Sequence, residues 1–203
     1  FRRVLFRSQP LPDRESAALA AHFAALADAL PWAHQLPVNR VAAAGARAEL
    51  SSIEAVLGVQ DTSGDPPTLV RRASQWIGVG DTRQMLGSIA LAESAYLHAH
   101  TANSALTVRD PGNVEWQRNL SVSWERLGNV RDAQGDLTGA LQAYTESKNI
   151  AEQLAATDPG NEQWQFNLGI SNERIGDVLK AQRRLTQAAQ AYQRRHEIIA
   201  KLA

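Results

Sequence analysis

The chain of 203 residues contains no cysteine, a single methionine and only 6% aromatic residues. Without cysteine it has no disulfide, no thiolate nucleophile and no cysteine-ligated zinc site. It also lacks an excess of charge, because 21 basic residues balance 21 acidic ones. Generic nucleic-acid and membrane-surface binders usually carry a basic excess, so we expect neither partner. No apolar run approaches the roughly 20 residues of a bilayer-spanning helix, and we predict a cytoplasmic protein.

The first eight residues, FRRVLFRS, have no helical or strand periodicity and are followed by a Gln-Pro-Leu-Pro segment. They are too short and too charged for a signal peptide, and they resemble translated read-through of a sequencing adapter. We therefore predict that residues 1–8 are a non-native leader. Residues 9–60 are predicted to form a helical hairpin, either a divergent repeat or the tail of an upstream domain.

Two similar segments, DPGNVEWQRNLSVSWERLGN and DPGNEQWQFNLGISNERIGD, begin 48 residues apart. Residues 110–155 align without a gap on residues 158–203, with 24 identities in 46 positions, which indicates a duplication. Apolar residues recur at spacings of three, four and seven, which is typical of helices rather than strands. The Asp-Pro-Gly-Asn turn and a second break at Gly135 divide each repeat into two antiparallel helices. We predict helices near 114–134, 137–157, 162–182 and 185–203.

A fainter copy precedes these two repeats. Shifted by 48 residues, Trp124 aligns with Trp76 and Tyr144 with Tyr96, although the first helix of this copy looks about one turn shorter. The last repeat ends in HEIIAKLA, without the polar face that usually caps an array, so we expect a fragment cut at both ends. Residues 61–203 are predicted to form one array, with repeats at about 65–109, 110–157 and 158–203.

The segment WERLGNVRDAQGDLTGALQAY, from Trp124 to Tyr144, resembles the tetratricopeptide repeat (TPR). That family places a Trp, a Leu-Gly pair, a Gly at the turn between helices, a small residue and an aromatic at these positions. The third repeat departs from the pattern with Asn172 in the tryptophan position and Arg183 in the turn-glycine position. The period of 48 also departs from the family's usual value of about 34, and we interpret the difference as longer helices. The resemblance implies an all-α, right-handed α-solenoid of antiparallel helix hairpins.

The aromatic, aliphatic and glycine positions that recur between repeats are predicted to form a continuous buried seam. An aromatic stripe at repeat spacing is more often a packed core than a ligand-binding surface, and the resemblance also assigns it to packing. The predicted core residues are Trp76, Tyr96, Trp116, Leu120, Trp124, Leu127, Gly128, Tyr144, Trp164, Leu168, Ile175, Gly176 and Tyr192.

Three positions in the first helix of each repeat supply the candidate binding residues. The resemblance implies that residues one, five and eight after the tryptophan position face a concave groove. Five carboxylates against one lysine there favour a basic or amine-bearing partner, whereas family members that clamp a peptide carboxylate carry Lys, Asn and Arg. The alternatives are a merely solvated acidic face, or neutralisation by Arg126 and Arg174. The nine groove positions are Ile77, Asp81, Gln84, Glu125, Asn129, Asp132, Glu173, Asp177 and Lys180.

No group of residues predicts a reaction. His98 and His100 are two residues apart, on roughly opposite faces of a helix, whereas metal-binding pairs need a spacing of three or four. The glycines of GVGDTRQMLGS match no phosphate-binding motif. Serines such as Ser123 have no histidine partner at helical spacing and are predicted to be structural. We therefore expect no enzyme activity, no metal and no cofactor.

The sequence thus predicts a non-catalytic scaffold that binds a protein or peptide partner in the groove of the array. One alternative is a sensor or regulatory segment of a larger multidomain signalling ATPase or effector enzyme, with the catalytic domain outside this chain. Another is self-association through the uncapped C-terminal repeat.

Overall fold

The computed structural model describes Leu50 and residues 64–202 of the chain. Residues 64–202 form six helices and no strand, so the prediction of an all-α fold is confirmed for this part of the chain. The predicted leader, and the predicted N-terminal hairpin apart from Leu50, lie outside the described residues. The helices are α1 (Pro66–Met85), α2 (Ile89–Arg109), α3 (Val114–Gln134), α4 (Leu137–Thr157), α5 (Glu162–Ala181) and α6 (Leu185–Ala200).

The apolar periodicity located most helix bounds closely. The bounds predicted for α3 and α4 are confirmed, and α5 and α6 end one and three residues before the predicted positions. The expectation of a shorter first helix in the first repeat is wrong, because α1 has 20 residues and α3 has 21. Two prolines open α1, where a missing N–H removes no helical hydrogen bond.

The Asp-Pro-Gly-Asn turns recur because each supplies the cap of the following helix. The Asn113 side chain accepts a hydrogen bond from the Trp116 backbone N–H at 3.1 Å, and Asn161 accepts one from Trp164 at 3.2 Å. The Asp110 carboxylate accepts one from the Gly112 N–H at 3.0 Å within the turn itself. Capping of this kind satisfies backbone donors that have no partner inside the helix.

The turn inside each hairpin contains one residue in the left-handed conformation. Gly87 and Gly135 have φ values of 73° and 80° in the first two repeats. The equivalent residue of the third repeat is Arg183, with a φ of 60°. A side chain in this conformation costs roughly 1 kcal/mol relative to glycine. The third repeat therefore keeps the turn geometry with a less favourable residue.

Each helix packs against the helices directly before and after it in the sequence. The buried core follows this order as a series of clusters along the array. Leu50 and Trp76 belong to a cluster in the first hairpin, Tyr96 and Leu127 to one between the first two repeats, and Tyr144 to one reaching the third repeat. Stability in such an arrangement arises mainly between neighbouring elements.

A tyrosine from the second helix of each hairpin packs directly on a glycine of the first helix. A Cβ added to Gly128 would lie 2.5 Å from a ring atom of Tyr144, closer than van der Waals contact permits. The glycine is therefore required by the close approach of the ring. The same pairing occurs in all three repeats, as Gly80 with Tyr96, Gly128 with Tyr144 and Gly176 with Tyr192.

Candidate functional site: the cleft between α3 and α5

The residues proposed as the repeat core occupy two kinds of environment. One group is buried: Trp76, Tyr96, Leu127, Gly128, Tyr144 and Gly176. The other group is half-buried: Trp116, Leu120, Trp124, Trp164, Leu168, Ile175 and Tyr192. Two members of the half-buried group, Trp116 and Trp164, lie in the first turns of α3 and α5.

The second groove position of each repeat accepts a hydrogen bond from a tyrosine hydroxyl. The three pairs are Tyr96 with Asp81 at 2.7 Å, Tyr144 with Asn129 at 2.8 Å and Tyr192 with Asp177 at 2.8 Å. The Tyr96 hydroxyl also lies 3.0 Å from the Gln84 side-chain oxygen, which is a third groove position. Burial raises the pKa of both Tyr96 and Tyr144 above the ordinary tyrosine value, so these hydroxyls remain protonated donors. These positions hold the hairpins together as well as facing solvent.

Two of the five groove carboxylates are paired with arginines. Arg126 Nε lies 3.2 Å from an Asp81 oxygen, and Arg195 Nε lies 3.1 Å from a Glu173 oxygen. These side chains are partly exposed, so the pairs contribute little stability. The arginines do neutralise the charges of Asp81 and Glu173. The surplus of negative charge at the groove positions is therefore smaller than a count of those nine residues suggests.

The remaining groove positions differ in exposure. Ile77 is half-buried and packs against two core clusters, so it contributes to the core. Asp132 and Lys180 are exposed near the C-terminal ends of α3 and α5. Glu125 is half-buried and is the one groove position that lines the cleft described next.

A cleft of about 260 Å³ lies between α3 and α5, over α4. We call it the α3–α5 cleft. Its lining combines charged, hydroxyl and apolar side chains, a mixture common in ligand sites. The lining residues are Arg118, Ser121, Val122 and Glu125 from α3, Ser147, Ala151 and Leu154 from α4, and Trp164, Phe166, Asn167, Ile170 and Ser171 from α5.

The two charged residues of the α3–α5 cleft have no ion-pair partner among the described residues. Neither Glu125 nor Arg118 forms a salt bridge or side-chain hydrogen bond there. Phe166 is 47% exposed, which is high for a large apolar side chain. Charges without a partner and an exposed aromatic ring together provide contacts for a ligand that the chain itself does not use.

Sequence reasoning found Glu125 but missed the other contact residues of this cleft. Arg118 and Phe166 occupy equivalent positions of the second and third repeats, in the added length before the tryptophan position. The family resemblance assigns no groove role to that length. One signal was present, since an aromatic residue of the third repeat replaces an arginine of the second repeat at this position.

The structure offers no metal site within residues 64–202, because no three His, Asp or Glu side chains there are grouped suitably. His98 stacks on Trp76 with ring centroids 4.3 Å apart, whereas His100 lies 4.1 Å from the Trp124 ring. The two histidines therefore contact tryptophans on different helices, in agreement with their spacing.

Helical spacing missed one histidine contact, because the partner lies on another helix. His100 Nδ1 on α2 is 3.3 Å from the Ser123 hydroxyl oxygen on α3. The Ser123 hydroxyl is fully buried and donates a hydrogen bond to the Leu120 carbonyl at 2.7 Å. The contact between His100 and this buried hydroxyl therefore links α2 to α3.

Comparison of the chain with protein-family models and with curated proteins gives no match. Among the helices of residues 64–202, none combines the length and apolar character needed to cross a membrane. The α3–α5 cleft is the feature from which a function is proposed.

Proposed function

We propose that the chain is a tetratricopeptide-like, right-handed α-solenoid that acts as a non-catalytic protein-protein interaction scaffold. The 48-residue duplication, the packing of each helix on its sequence neighbours and the recurring glycine–tyrosine pairs support the architecture. Stacked hairpins present a preorganised surface, so binding orders the partner more than the scaffold.

The observation that carries this proposal is the α3–α5 cleft with its unpaired charges. Glu125 and Arg118 are seven residues apart on α3, which places them on nearly the same face, about 10 Å apart along the helix axis. Three residues of an extended peptide span about that distance. We therefore expect a partner segment with a lysine or arginine opposite Glu125, an acidic or carbonyl group opposite Arg118, and an apolar side chain against Phe166.

The expected partner is therefore not any basic chain. It is a chain whose basic, acidic and apolar groups are spaced to meet Glu125, Arg118 and Phe166. Because Asp81 and Glu173 are already paired with arginines, a uniformly cationic peptide has fewer carboxylates to contact than the groove residues imply. A peptide with a single basic residue placed next to apolar ones uses both parts of the lining.

The proposal is tested by binding fluorescein-labelled peptides of two designs, one with isolated basic and apolar residues and one uniformly basic. The first design is expected to bind more tightly, and binding to weaken as salt is raised. Glu125→Gln is expected to weaken binding of the first peptide design roughly five- to tenfold. Glu146→Gln, the same change at an exposed position of α4 outside the cleft, is the matched control and is expected to have no effect.

Two results would contradict the proposal. One is the absence of saturable binding of either peptide at low salt. The other is equal loss of binding in the Glu125 and Glu146 variants, which would assign the interaction to general charge rather than to the α3–α5 cleft.

A further inference from the structure

A second cleft lies between α4, α5 and α6, with a volume of about 310 Å³. We call it the α4–α6 cleft, and it shares no lining residue with the α3–α5 cleft. Its apolar lining includes Leu141, Ile175 and Leu179, while Gln187 and Gln190 contribute amide groups. Apolar and amide groups side by side suit a peptide, whose backbone can hydrogen-bond to the amides.

The charged residues that line the α4–α6 cleft are all cationic. They are Lys148, Arg184 and Arg194, and the lining contains no carboxylate. Lys148 is paired with Glu152 at 2.7 Å, and Arg184 hydrogen-bonds to glutamine side chains. Arg194 has no ion pair or hydrogen bond with any described residue. The cleft therefore has positive charge available to an external anion.

At the equivalent place one repeat earlier, a tryptophan packs against the core. Trp124 occupies the position of Asn172, and its ring lies 4.1 Å from the His100 ring. Asn172 is also buried, with only 2% of its surface exposed, but its side chain is much smaller than that of tryptophan. Its amide donates a hydrogen bond to the Leu168 carbonyl at 2.9 Å. Replacement of the large ring by a small side chain removes the atoms that fill the earlier junction.

The charges at the two places also differ in sign. Arg184 aligns with Asp136 of the second repeat, and Arg194 aligns with Glu146. The junction that has the open space, between the second and third repeats, is therefore also the one whose lining is cationic. Solvated surface arginines would account for the charge alone, but not for its coincidence with the missing tryptophan.

We propose that the α4–α6 cleft is a second binding site, which takes an acidic peptide segment. Carboxylates of such a segment pair with Arg194 and Arg184, and its apolar side chains pack on Ile175 and Leu179. Free phosphate would use the cations but leave the apolar surface and the amides unused. Nucleic acid is disfavoured by the zero net charge of the chain.

The experiment measures binding by fluorescence polarisation of a set of labelled peptides rich in glutamate and aspartate, with leucine at every second or third position. Saturable binding is expected, and Arg194→Glu is expected to weaken it about tenfold or more. Lys201→Glu, the same change in net charge at an exposed residue outside the cleft, is the control and is expected to change binding less than about twofold.

A second variant tests the shape of the cleft rather than its charge. Asn172→Trp restores the residue of the earlier junction and is expected to abolish binding of the acidic peptides. Circular dichroism checks that this variant is folded, and the Arg194 variant provides an independent test if it is not. Inorganic phosphate and a single-stranded oligonucleotide, used as competitors, are expected not to displace the peptide.

Several outcomes would overturn this proposal. They are the absence of saturable binding by every acidic peptide, equal effects of Arg194→Glu and Lys201→Glu, wild-type binding by folded Asn172→Trp, and displacement by phosphate or by the oligonucleotide. None of these outcomes affects the α3–α5 cleft, because Glu125→Gln tests that site with different peptides.

Discussion

Two junctions of the same array are built from equivalent positions of the repeats but differ in the side chains that line them. Between the first and second repeats, Trp124 packs against His100, and Arg131 is paired with Glu93 at 3.1 Å. Between the second and third repeats, Asn172 replaces the tryptophan, and a cleft of about 310 Å³ remains. Both junctions keep the same helix order, and the exchange of tryptophan for asparagine accompanies the difference between the packed junction and the open one.

The largest expected effect comes from opening the filled junction. Trp124→Asn removes a ring that packs against the cluster around Leu127 and is expected to lower the free energy of unfolding by about 3 kcal/mol. Chemical denaturation measures this change. The control is Phe166→Asn, a similar change at a half-exposed ring, for which a loss of less than about 1 kcal/mol is expected. Equal losses would show that Trp124 does not fill the junction.

A second prediction compares two glycines on one helix. An added Cβ on Gly80 would overlap the ring of Tyr96, whereas one on Gly78 would meet no atom within 4 Å. Gly80→Ala is therefore expected to lower the free energy of unfolding by about 2 kcal/mol. Gly78→Ala is expected to raise it by about 0.5 kcal/mol, because alanine favours the helix. Thermal and chemical denaturation check both values, and a stabilising Gly80→Ala would contradict the close approach.

The helices and their order could be predicted from the sequence, because duplication, apolar spacing and Asp-Pro-Gly-Asn turns are all local signals. The two clefts could not. The ion pairs of Asp81 with Arg126 and of Glu173 with Arg195 join residues on different helices, so a residue count overestimated the negative charge. The replacement of tryptophan by Asn172 was visible in the alignment. Its consequence depended on whether neighbouring side chains fill the space, and periodicity does not report that.

A smaller effect is expected from pH at the filled junction. Burial lowers the pKa of His100 below its ordinary value of 6.5, with a further contribution from Arg131. The unfolded chain therefore binds this proton first as pH falls, and stability that is present above pH 6.5 declines below it. His100→Gln removes this contribution.

Chemical denaturation at about pH 7.5 and about pH 5.5 checks this prediction, because the other histidines are present in both proteins. The wild-type chain is expected to lose more stability between the two pH values than His100→Gln does. The same loss in both proteins would show that His100 is not held in its neutral form by the filled junction.

The most direct test of the comparison is the free energy of unfolding of Asn172→Trp. If the second junction is open because it lacks this ring, the added tryptophan occupies existing space and raises the free energy of unfolding by about 1 kcal/mol. A decrease of about 1 kcal/mol or more would mean that the junction is already filled, and it would contradict the account of how the two junctions differ.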